Sequence, residues 1–145
     1  MTKTAQQLKA LISTPKKIVI TTHRGPDGDA MGSSLALCNF LEQLGHTVNV
    51  ITPNEYAKFL HWLPGNDAVI NYEENEEKAA AITAEADLIF LLDFSHLSRI
   101  ATFASAVSKS KATKIMIDHH QDPDADITEL IFSDTTACST AQLVY

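Results

Sequence analysis

The sequence predicts an α/β fold: a doubly wound parallel sheet of about five strands, order 2-1-3-4-5, with helices on both faces. Three observations carry this. Apolar, β-branched runs alternate with stretches of helical spacing along the whole chain. The run DLIFLLDF, residues 87–94, holds a continuous apolar stretch, as a central strand covered on both faces requires. Glycine, proline and aspartate cluster between the runs, where turns are needed.

Taken in order, TAQQLKALIST (4–14) reads as a short helix stopped before Pro15. KKIVITT (16–22) is the first strand. AMGSSLALCNFLEQLG (30–45) places Leu35, Leu37, Cys38, Leu41 and Leu44 on a helical face, with Gly45 as its C-terminal stop. HTVNVIT (46–52) is the second strand. EYAKFLHWL (55–63) is expected to be a helix closed by Pro64 and Gly65, and NEEKAAAITAEA (75–86) a helix exposed on one side. DLIFLLDF is the third strand, and a helix-like segment from about 98 to 108 follows it. ATKIMIDHH (112–120) and ITELIFS (127–133) are the fourth and fifth strands, and TACSTAQLVY (136–145) begins a helix.

At 145 residues the chain is long enough for one domain with a real core. Its net charge of -7 disfavours nonspecific binding to long nucleic acid, which needs a basic surface to displace counterions. A short anionic substrate at a local cationic site is compatible with it, and bound metal would offset part of the charge. Cys38 and Cys138 stand far apart in no CxxC pattern, so they read as two small buried hydrophobes in a reducing compartment. No signal-peptide core and no run near the roughly 20 apolar residues of a membrane helix is present. The expectation is a cytoplasmic protein without a membrane partner.

Ligands of open α/β sheets bind at the carboxyl ends of the strands. There the first strand ends at His23, with Asp27 and Asp29 in the next turn; the third ends at Asp93; the fourth ends at Asp118, His119 and His120. Singly, each has a bland reading: Asp29 as a helix N-cap, His23 as a loop histidine, Asp93 as a cap, the Asp-His-His as a polar strand end. Together they crowd like charges on one edge, a cost tolerated when a cation sits between them. Carboxylate oxygen mixed with imidazole, and no cysteine, suits manganese, with magnesium, iron or cobalt as substitutes. So many ligands point to two ions, the arrangement that supports phosphoester hydrolysis by an activated water. Gly25 and Gly28 would let the turn aim its carboxylates inward, and Gly32 would serve close helix packing or the approach of a phosphate.

HRGPDGDAMGS (23–33), LLDFSHLSR (91–99) and IDHH (117–120), in this order and on these strand ends, resemble motifs one, two and three of the DHH phosphoesterase superfamily. The resemblance spans nearly the whole chain. The form HxxPDGDAxGS is most similar to the oligoribonuclease (nanoRNase) and 3′-phosphoadenosine-5′-phosphate phosphatase branch, of 3′-5′ type. It also resembles phosphodiesterases of cyclic or linear dinucleotides. RecJ-type exonucleases carry a different first motif, whereas family II inorganic pyrophosphatases share the His, the two Asp and the DHH. The resemblance implies that His23 and Asp27 hold one manganese ion and Asp29 and His119 the other, with Asp93 bridging. Asp118 would orient a histidine, and His120 would face the substrate phosphate as donor or general acid. Arg99 is a candidate phosphate contact, with a salt bridge at a helix start as its alternative.

Short RNA oligonucleotides or a small nucleotide are the implied substrates, and a homodimer is an open expectation. His46, His61 and His96 match no motif and read as loop or surface residues. Asp122, Asp124 and Asp126 read as a solvated loop, and Ser139 and Thr140 as supports of the last helix. The resemblance further implies a fourth motif with an Asp in an Asp-Thr-Gly-like segment, and a C-terminal substrate-binding domain. Neither lies within residues 1–145, so the chain reads as the front of a longer enzyme, and this fragment alone is expected to be weakly active or inactive. A noncatalytic nucleotide- or metal-binding module is the alternative of another class.

Overall fold

Period-two alternation in the strands sends successive side chains to opposite faces of one sheet. In the computed structural model, which describes residues 2–145, six strands run parallel in the order β3-β2-β1-β4-β5-β6. They are β1 (Lys17–Thr22), β2 (Thr47–Thr52), β3 (Ile70–Asn71), β4 (Leu88–Leu92), β5 (Thr113–Asp118) and β6 (Leu130–Ser133). The five expected strands keep their expected order. The sixth, β3, is two residues long and pairs only through Ile51 with Ile70 and Thr52 with Asn71.

Among the described residues there are five α-helices, α1 (Lys3–Leu11), α2 (Gly28–Gln43), α3 (Glu76–Ala84), α4 (Phe103–Lys109) and α5 (Thr140–Val144); α2, α3 and α4 lie between strands, α1 precedes β1 and α5 follows β6. Ile18, Ile20, Phe90, Leu92, Ile115 and Ile117 form one core layer with Met31, Leu35, Leu37 and Leu41 of α2. The alternate strand positions Val19, Ile51, Ile89 and Leu91 form the other, with Ala79 of α3 and Phe103 and Val107 of α4. All five residues of β4 are buried, so its unbroken apolar run serves both layers. The chain crosses from β1 to β2 by way of α2 and reaches β4 after α3 on the opposite face. Between β1 and β4 lies the switch point where such folds bind ligands.

Several expectations are corrected. Residues 55–63 form no α-helix: Leu60 N–H bonds Ala57 O, His61 bonds Lys58 and Leu63 bonds Leu60, all at i−3, giving one 3₁₀ turn at Lys58–Leu60. Pro53 and Pro64 leave too short a stretch to propagate a helix, and the Tyr56 hydroxyl ties the loop to Asn66 instead. The segment after β4 breaks into a 3₁₀ turn, Leu97–Ile100, and then α4, with Ala101 at φ +49° between them. That break lets both Ile100 and Phe103 bury fully. On α2, Leu44 is exposed and Cys38 half-buried, so the packed face is narrower than the leucine spacing implied. His46 is not a surface residue: it is buried, and its Nδ1 accepts from Lys16 N–H at 3.1 Å.

Both cysteines are free, but they are not the buried pair expected: Cys38 is half-buried on α2 and Cys138, in the turn before α5, is exposed. Burial, reinforced by Glu42, pushes the Cys38 thiol up to about 11. At pH 8 an alkylating reagent is therefore expected to label Cys138 quickly and Cys38 only after unfolding, because the thiolate is the reactive form. Peptide mapping of the labelled chain checks this.

Candidate metal centre

Strand β1 ends at His23, and the turn that follows needs one left-handed residue, Gly25 at φ +64°. The turn is pinned from both sides: Gly25 N–H bonds Asn54 Oδ1 at 2.6 Å, and Arg24 N–H bonds Arg99 O at 2.7 Å. Gly28 carries no such requirement, since it already lies inside α2. A Cβ at Gly32 would meet nothing within 4 Å, so that glycine serves no close packing. Asp27, not Asp29, caps α2: its Oδ1 accepts from Ala30 N–H at 3.0 Å. Asp29 sits further in, and its oxygens accept from Thr140 N–H and Ala141 N–H, both at 2.9 Å.

Asp93 follows β4 in the left-handed region, at φ +65°, a conformation that Asp tolerates better than most residues. This twist turns a buried carboxylate toward both neighbouring strands. Its Oδ2 lies 3.5 Å from His23 Nε2, and its Oδ1 lies 3.5 Å from His119 Nε2. His23 Nε2 is 3.9 Å from Asp27 Oδ1, and His119 Nε2 is 3.7 Å from Asp29 Oδ2. His120 Nδ1 bonds Asp118 Oδ1 at 2.7 Å and stands 4.0 Å from Asp93 Oδ1. Asp118 is fully buried, and its Oδ2 has no hydrogen-bond partner. Arg99 is exposed, and with Asp93, Phe94, Ser95 and His120 it lines a depression of about 70 Å³. The structure thus gathers all eight residues singled out in the sequence at one edge of the sheet. A larger apolar cavity of about 370 Å³ lies between α2 and α5, and no Asp, Glu or His side chain lines it.

The donor set fits divalent cations. His23 Nδ1 lies 2.9 Å from Arg24 O and His119 Nδ1 lies 3.3 Å from Ala137 O. A carbonyl only accepts, so each Nδ1 carries the proton and each Nε2 turns toward carboxylates. Nε2 then needs either a proton or a metal ion between itself and those oxygens. Two groups have ligand atoms close enough for an ion: His23, Asp27 and Asp93, and Asp93, His119 and His120. Asp29, expected beside His119, falls in neither group: its oxygens are taken up by the N–H groups of Thr140 and Ala141, and His120 stands in its place.

Pairing with Asp93 lifts His23 above its ordinary value of 6.5, more than burial lowers it. Burial pushes the Asp93 carboxyl up, yet hydrogen bonds from His23 and Thr140 and the charges of His23 and His120 together hold it below its ordinary range. In the metal-free chain the His23–Asp93 pairing therefore stabilises the fold fully between about 3.8 and 6.5, and that contribution is lost as pH rises through the raised His23 value or falls through the lowered Asp93 value. For a cation the sign reverses, because the proton competes for Nε2. Manganese affinity is expected to weaken as pH falls through the raised His23 value, starting higher than an unperturbed histidine would allow. Calorimetric titrations at pH 6, 7 and 8 check it.

Thr140 is a residue of the candidate site whose place there the sequence does not reveal. Ser139 caps α5 by accepting from Gln142 N–H at 3.1 Å, as expected of a helix support. Thr140 instead points into the site: it is fully buried, its Oγ1 donates to Asp93 Oδ1 at 2.9 Å, and its N–H holds Asp29. No local signal marks it, since its partners lie 47 and 111 residues away. Thr140→Val is expected to cost about 1–3 kcal/mol of stability by leaving a buried acceptor short of a partner. It is also expected to weaken manganese binding about 10- to 100-fold. Denaturant unfolding and manganese titration read the two effects, and unchanged metal affinity would make the bond purely structural.

Among the described residues, no helix is long and apolar enough to cross a membrane. A crystal structure of an exopolyphosphatase-related protein from Bacteroides fragilis superposes on the whole chain with a TM-score of 0.95 and 39% sequence identity. The chain spans 44% of that protein's length. An alpha-glucosyltransferase solved with UDP and a 13-mer DNA matches 83% of this chain and 38% of its own, at a TM-score of 0.63 and 14% identity, a likeness of fold alone. No curated protein matches the sequence. Residues 17–145, which hold every ligand candidate described above, match the model described as DHH family, N-terminal domain, and the chain belongs to the DHH family.

Proposed function

We propose that the chain is the front domain of a manganese-dependent phosphoesterase acting on short nucleotide phosphoesters. RNA fragments of a few nucleotides and 3′-phosphoadenosine 5′-phosphate are its substrates. The observation that carries this reading is Asp93, whose two oxygens each face a different histidine, His23 and His119, at 3.5 Å. A carboxylate so placed suits a pair of ions rather than one. The first-motif form HxxPDGDAxGS favours the oligoribonuclease and 3′-phosphoadenosine-5′-phosphate phosphatase branch over cyclic-dinucleotide phosphodiesterases.

His23, Asp27 and Asp93 Oδ2 would hold one ion, and Asp29, His119 and Asp93 Oδ1 the other; bound there, the pair supplies Lewis acidity and an activated water. Asp118 fixes the His120 ring by accepting a hydrogen bond from Nδ1 at 2.7 Å, which leaves Nε2 to give a proton to the leaving oxygen. The half-exposed His120 and the exposed Arg99 border the same depression, so proton donor and phosphate contact approach the substrate from one side. The net charge of -7 favours small substrates over long polyanions. The chain spans 44% of the Bacteroides fragilis relative, which leaves room in that protein for the fourth-motif Asp and substrate-binding domain that the resemblance implies. Two free thiols, one of them exposed, suit the reducing cytoplasm.

The exopolyphosphatase-related description of that relative favours a second reading, hydrolysis of inorganic polyphosphate. A substrate panel with manganese separates the two: a dinucleotide, an RNA 5-mer, 3′-phosphoadenosine 5′-phosphate, cyclic di-AMP, pyrophosphate and polyphosphate. The first three are expected to be cleaved fastest. Preference for polyphosphate would transfer the assignment, and metal binding without any turnover by the full-length protein would favour a noncatalytic module.

A further inference from the structure

Two of the large apolar side chains left in solvent stand in one turn: Phe59 is 74% and Trp62 75% exposed. The turn is not loose. Leu60 between them is buried, Tyr56 bonds Asn66 and meets the His61 ring edge-on at 5.0 Å, and Gly65 sits within 3.4 Å of Leu35 at its Cβ position. Nor is it remote from the metal centre. Leu60 Cδ2 reaches within 4.0 Å of the Cβ position of Gly28, the residue between Asp27 and Asp29, and Asn54 at the loop's start holds Gly25. Consecutive Cα atoms are about 3.8 Å apart, so Phe59 and Trp62 begin one and two residues from the contact with the first motif.

We propose that Phe59 and Trp62 form a base-stacking platform at the rim of the metal centre, which selects substrates carrying a nucleobase next to the phosphate that is cleaved. The proposal rests on the phosphoesterase reading and narrows it to nucleotides. Aromatic faces grip any base and need no basic groove, which suits a chain of net charge -7. Rings on a braced turn lose little conformational freedom when they bind. Lys58 and His61 flank them and are polar, so the rings do not extend into a wide apolar surface of the kind a stable homodimer buries.

Trp62 is the sole tryptophan of residues 1–145, so in this chain its emission reports on this turn alone. With manganese present, adenosine 5′-monophosphate and a phosphorothioate diadenylate are expected to quench it saturably, whereas ribose 5-phosphate binds without quenching. Trp62→Ala is expected to weaken the adenylate relative to ribose 5-phosphate about tenfold, and Trp62→Phe to restore most of that ratio. Calorimetric binding of the nucleotides with no quenching, or an unchanged ratio in Trp62→Ala, would overturn the platform while leaving the hydrolase reading intact. So would sedimentation showing that Phe59→Ala and Trp62→Ala split a dimer. Failure of every phosphate ligand to bind with manganese would instead sink the hydrolase reading itself.

Discussion

Asp93→Asn is expected to lower phosphoester hydrolysis by about a thousandfold or more and to reduce the manganese bound per chain. The substitution keeps the side-chain shape and a residue type that accepts φ +65°, so the fold is expected to survive it. What it removes is the one charge that faces His23 on one oxygen and His119 on the other. Each of the two proposed ion sites loses its shared carboxylate at once, so the loss is larger than for Asp27→Asn, which touches only the site with His23, or for Asp29→Asn, whose carboxylate lies 3.7 Å from His119 but outside both groups of converging ligand atoms. Hydrolysis assays on the full-length protein, together with manganese content by elemental analysis, check it. Near-normal turnover would refute the bridging role.

His120→Ala is expected to act differently, lowering turnover about 10²- to 10³-fold with manganese content largely intact. The distinction lies in which carboxylates each histidine addresses. His119 Nε2 stands between Asp29 and Asp93, whereas His120 gives its Nδ1 to the buried Asp118 and is 4.0 Å from Asp93. Loss of metal in His120→Ala would exchange the two assignments, an outcome that the proximity of His120 to Asp93 and His119 makes worth measuring. A pH–rate profile adds an independent readout, since removing a proton donor flattens the limb that the donor controls.

Asp93 and His120 are legible in the sequence, because strand ends in a parallel sheet converge and three of them carry carboxylate or imidazole groups. The β4 run announces itself by its consecutive apolar positions, and β1, β2, β5 and β6 by β-branched residues between turns. The failures have a common physical cause. Residues 55–63 have helical spacing, yet a short stretch between prolines cannot meet the cost of helix nucleation, and tertiary bonds such as that between Tyr56 and Asn66 take over. The strand β3 is held by two paired positions and has no local signature. His46 accepts from Lys16, and Thr140 donates to Asp93, across 30 and 47 residues, so periodicity carries no trace of either. Asp27 rather than Asp29 is the helix cap because the backbone enters α2 ahead of the point where its apolar pattern begins.

The two main-chain bonds from the start of α5 to Asp29 join positions 111 and 112 residues apart. On the ribosome, β1 through β6 all emerge before Thr140 does, so the sheet has its strands while Asp29 still lacks its anchors. Under the two-ion proposal, uptake of metal would then mark the end of synthesis of this region rather than its beginning. A nascent or clipped chain that stops short of Ala141 would carry the sheet and most of the ligands, yet leave one aspartate free to swing.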